Sequence, residues 1–244
     1  TVISSSLLQR AASSDEARDK LLSFTDNRQD ASLQAGHFND FVHISALRCA
    51  LHAALLKEKE LGFDRVADAV VRECGLTIRD IARNTELHPD TSAARDAWRA
   101  FAELTEYRLY EDLRRGWRVV QPNLESVGLL EIGYRGLEDL CANVAAWEFD
   151  SRAAGLSPAE RVGLVKPILD HFRRKRAISV SCLRETRQQQ IRKRAEQNLN
   201  EFWGIDERGR ELSPAKRFFL EGQSNKPAKD FTLGAHGMLG RFIR

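Results

Sequence analysis

The sequence predicts a mainly α-helical chain: a bundle-like domain with one strand-turn-helix unit and a small β-pair. Three observations lead there. Apolar residues recur at helical spacing over long stretches. Capping signals head those stretches, most clearly at Ser157-Pro158-Ala159-Glu160. Extended-looking runs are confined to Lys20–Thr25 and to the Trp117–Ile132 region. With 244 residues, 42% of them apolar, the chain can bury the core of one large domain or two small ones.

In chain order, residues 2–19 read as a helix (Val2, Ile3, Leu7, Leu8) with a restart at Ser13-Ser14-Asp15-Glu16. Leu21, Leu22 and Phe24 then form a short buried strand that stops at the polar turn Thr25-Asp26-Asn27-Arg28-Gln29. Helical spacing resumes with Ala31, Ala35, Phe38 and Phe41 and runs through Ile44, Leu47, Leu51 and Leu55 to a glycine stop near Leu61-Gly62. A helix that starts after a buried strand gathers unpaired N–H groups and a positive dipole end, a setting suited to phosphate oxygens.

The stretch LLSFTDNRQDAS resembles motif IV of superfamily 2 helicases, which opens their second RecA-like lobe. The likeness is to very large bacterial DEAD/DEAH-box helicase-like proteins. It implies a RecA-type strand-turn-helix and nucleic-acid backbone contacts at Thr25, Asn27 and Arg28. It also implies that ATP and magnesium serve the whole motor. The same strand-to-helix turn occurs in many α/β proteins that bind no nucleic acid.

Beyond the motif, Phe63–Arg72 predicts a short helix broken at Cys74-Gly75, and Thr77 with Asp80 imitates a capping box. This segment resembles the first helix of a helix-turn-helix, but the next helix reads as a packing element. That helix is long and amphipathic: Pro89-Asp90 start it, Ala94, Trp98, Phe101, Thr105, Leu109 and Leu113 face inward, and Gly116 ends it. Trp117–Val120 and Leu129–Ile132, punctuated by Pro122 and Gly128, suggest two strands: the back half of a winged helix, or a β-pair packed on helices. The likeness to the helicase-like proteins extends weakly here, to an insertion behind motif IV. A short helix follows at Gly136–Trp147.

The Ser157 helix places Val165, Ile168, Leu169 and Phe172 inside and ends in the basic run Arg173-Arg174-Lys175-Arg176. The next segment has a thin apolar stripe (Leu183, Ile191, Ala195, Leu199, Phe202) beside Arg184, Arg187, Arg192, Lys193 and Arg194. Such a helix fits along a phosphate backbone or against an acidic partner. Residues 206–236 are polar, with a loop expected at Gln223–Lys229. The organisation reads as a motif-IV segment over 1–61, a helical insertion with the β-pair over 62–150, and a basic helical region over 151–244.

Charge divides the same way. Residues 1–150 hold 18 Lys and Arg against 25 Asp and Glu, and residues 151–244 hold 20 against 10, so −7 and +10 make the net +3. A basic half on an acidic one suggests a face for nucleic acid, single-stranded DNA being favoured, or merely a solvated arginine-rich surface. No run approaches the roughly 20 apolar residues needed to cross a bilayer, and no secretory leader is visible. Cys49, Cys74, Cys141 and Cys182 are too scattered for a zinc site or disulfide framework, and read as buried reduced thiols of a cytoplasmic protein. His43 and His52 read as ordinary helix histidines.

Chemistry is sparse. The sequence has no G-x-x-x-x-G-K-[ST] phosphate cradle, no D-E-x-[HD], no H-E-x-x-H and no G-x-S-x-G. The start at Thr1, the ending in helix-like sequence and the lone strand suggest a piece of a larger protein. The expected function is therefore that of a segment of an ATP-dependent helicase or translocase. It would contribute backbone contacts and packing against the remaining helicase lobes, without hydrolysing ATP itself. The alternative is a non-catalytic helical interaction or scaffold module.

Overall fold

The computed structural model describes residues 28–113, 122–205 and 214–216, with strand residues 218–219 and 231–232; side chains are described from Phe41 onward, those of the two strands excepted. The described chain is mainly helical: α1 (Arg28–Glu58), α2 (Val66–Glu73), α3 (Ile78–Ile81), α4 (Ser92–Asp112), α5 (Leu137–Ala142), α6 (Ser151–Ala154), α7 (Pro158–Arg174) and α8 (Glu185–Asn198). Single 3-10 turns stand at Val144–Trp147, Ser181–Leu183 and Glu201–Trp203. No described helix is long and apolar enough to cross a membrane.

Local signals place most boundaries. The Ser157 cap forms as a reciprocal box: its N–H and hydroxyl both donate to Glu160 Oε2, at 2.7 and 2.6 Å, and the Glu160 N–H returns to Ser157 Oγ at 3.3 Å. Thr77 and Asp80 pair likewise, with the Thr77 N–H and hydroxyl each 2.7 Å from Asp80 Oδ2. Helix α4 starts at Thr91, whose Oγ1 accepts from the Ala94 N–H. Gly75, at φ +67°, turns the chain between α2 and α3.

Helix α7 ends on an arginine where glycine is usual. Arg176 adopts φ +61°, its N–H bonds the Arg173 carbonyl, and the Ala177 N–H reaches back to Phe172 O at 2.8 Å. The side chain explains the residue: it is 2% exposed and its guanidinium pairs with Glu111 at the end of α4.

Three apolar clusters build the core. The largest joins Ile78, Ile81 and Ala82 to Ala97, Phe101 and Leu104 of α4, and to Leu183, Ile191, Ala195, Leu199 and Trp203. A second packs Ala50 and Leu51 of α1 on Val70, Leu109 and Leu124. A third joins Leu137, Cys141 and Trp147, with Val162, Val165 and Leu169 of α7 against them. The first cluster draws residues from both 62–150 and 151–244, so α4 and α8 share one core.

Several expectations are corrected. Leu129–Ile132 forms no strand. Instead Asn123 closes a tight turn, its Oδ1 accepting from the Ser126 N–H and hydroxyl, and Gly128 at φ +76° sends the chain on with no ladder partner among the described residues. Trp117–Val120 and the strand at Lys20–Thr25 lie outside the described residues, so neither the β-pair nor the RecA-type strand is seen. The strand pairing that is described is short and parallel, Phe218–Phe219 with Phe231–Thr232. In α7 the most buried side chains are Arg161 and Arg173; Val165 and Leu169 are only partly covered. Of the cysteines, Cys141 and Cys182 are buried, Cys74 is half-buried and Cys49 is exposed.

Candidate nucleic-acid interface

Helix α8 is the basic element singled out by sequence, and its apolar stripe is real. Leu183, Ile191, Ala195 and Leu199 are all buried against α3 and α4, whereas Phe202 is 38% exposed. Both ends are stitched down. At the C-terminal end the Asn200 N–H donates to Ile81 O, the Arg83 N–H to Asn198 O, and Ala82 bridges Leu199. Asn200 Nδ2 and Trp203 Nε1 share the Asp80 carbonyl at 2.8 and 2.9 Å. At the N-terminal end Cys182 meets Glu106 of α4.

The five cations do not form one face. At about 100° per residue, Arg187 and Arg194 fall on one flank of the seam, Arg192 on the other and Lys193 opposite it. Arg187 and Arg194 converge on Glu103 of α4, Arg187 at 3.0 Å. Arg192 pairs along the helix with Glu196 at 3.0 Å. Arg184 and Lys193 are exposed.

That pattern recurs along the chain. Lys166 pairs with Glu131, Arg173 and Arg174 share Glu125 at 2.6 and 2.8 Å, and Arg176 reaches Glu111 at 3.3 Å. Six cations of the basic half thus rest on four glutamates of the acidic half. Part of the charge split seen in the sequence is therefore an internal complementarity. Within the chain, α8 meets α4 through Arg187 and Arg194 on Glu103.

Burial and these partners shape the titrations. Burial pushes the Glu125 carboxyl up, but hydrogen bonds from Arg173 and Arg174 outweigh it and hold it below its ordinary value. Glu106 is raised by burial despite its hydrogen bond with Cys182. The Cys182 thiol is pushed up to about 12 by burial and the neighbouring Glu106. Such a thiol is no nucleophile near neutrality.

Three residues carry the motif-IV likeness: Thr25, Asn27 and Arg28. Thr25 and Asn27 lie outside the described residues. Arg28 is the first residue of α1, a helix of 31 residues, and its side chain is not described. The far half of α1 is firmly rooted: Arg48 grips Asp112 through Nε and Nη2 at 2.9 and 2.6 Å, and Ala50, Leu51 and Ala54 are buried. His43, also on α1, stacks on Trp203 at 4.7 Å beside a cavity of about 20 Å³, room for one water molecule.

Sequence reasoning missed Glu103, Glu106 and the buried arginines. The apolar stripe carried no signal for the first two: at about 100° per residue Glu103 and Glu106 stand roughly 160° and 140° round the helix from Phe101. No group of three or more potential metal ligands occurs among the described residues. No protein-family model, curated protein or solved structure matches this chain.

Proposed function

We propose that the chain is a non-catalytic helical module of a superfamily 2 helicase-type motor, whose work is to anchor the helix that carries the Thr25-Asn27-Arg28 turn. In the whole motor, ATP and magnesium would be held by other segments, and this module would pack against the remaining lobes. The observation that supports the reading is the course of α1. It begins at Arg28, where the motif-IV likeness places the turn, and is tied at its far end to α4 by the Arg48–Asp112 pair. Contact with a single strand would rest on that turn, with exposed Arg184 and Lys193 adding charge.

Titration of labelled single-stranded DNA at several salt concentrations tests this. Affinity should fall with salt at a slope of about −0.7 per phosphate neutralised. Arg28→Ala should weaken binding, and replacing Arg184 and Lys193 by Gln should flatten the slope by about 1.4. Glu103→Gln, which releases Arg187 and Arg194, should steepen it by a similar amount.

A second reading, a helical interaction or scaffold module with no nucleic-acid role, is favoured by the pairing of six basic-half cations with glutamates. Absence of salt-dependent binding in both the natural chain and Glu103→Gln would decide for it.

A further inference from the structure

We draw no further inference here: the strongest candidate, the side-chain cluster at the α4–α8 seam in which Arg187 and Arg194 meet on one oxygen of Glu103, belongs to the site already described, where Glu103 itself occupies the two guanidinium groups.

Discussion

Replacing Arg161 by methionine keeps most of the side-chain volume and removes the guanidinium from the third core cluster. In the native chain its Nε, Nη1 and Nη2 donate to Ala153 O, Cys141 O and Ala154 O at 3.0, 2.9 and 2.7 Å. These carbonyls lie at the C-terminal ends of two short helices, where the dipole is negative, and Ala153 O is shared with the Leu156 N–H at 3.3 Å. A hydrogen bond to a charged group contributes about 1.5–3 kcal/mol net, and the contact with Trp147 adds roughly 1 kcal/mol. The charge also loses its hydration in a site with 2% exposure, so the sum is discounted to about 4 kcal/mol. At about 2–4 °C per kcal/mol for a chain of this size, the melting temperature should drop by roughly 8–16 °C. Arg161→Lys should recover less than half, because an ammonium cannot aim three donors at three diverging carbonyls. Urea unfolding followed by tryptophan fluorescence, with calorimetry beside it, reads both variants. A methionine variant within about 1 kcal/mol of the natural chain, or a lysine variant equal to it, would refute the account of this residue.

Two further outcomes follow from the packing of α4 on the basic half. Glu106 carries a carboxyl raised by burial, so the folded chain holds its proton to higher pH than the unfolded one, and stability should decline as pH rises from about 4.5 through the folded value. Glu106→Gln should flatten that decline, and an unchanged profile from pH-dependent urea unfolding would count against it. Thiol titration under native conditions should label exposed Cys49 first and half-buried Cys74 more slowly, and leave Cys141 and Cys182 unreacted until the chain unfolds. Rapid native labelling of Cys182 would contradict its burial and raised pKa.

What the sequence determined by itself is local. The boxes at Ser157/Glu160 and Thr77/Asp80 and the glycine turn at Gly75 join groups within a few residues, so their chemistry can be read without a fold. The seam of α8 was legible for a related reason: Leu183, Ile191, Ala195 and Leu199 recur at helical period, and a period fixes a face. The tertiary structure decided which charges are free. Arg194 and Glu103 are 91 positions apart, and nothing in either neighbourhood marks them as partners. Arg161 stands one helical turn before Val165 on the inward face, where its charge argues against burial, and it is buried because the ends of α5 and α6 bring three carbonyls to one point. The same holds for Leu129–Ile132, whose residues suit a strand but which pairs with no other strand among the described residues. Composition counts charges one by one, whereas an ion pair exists only where the fold lets two of them meet.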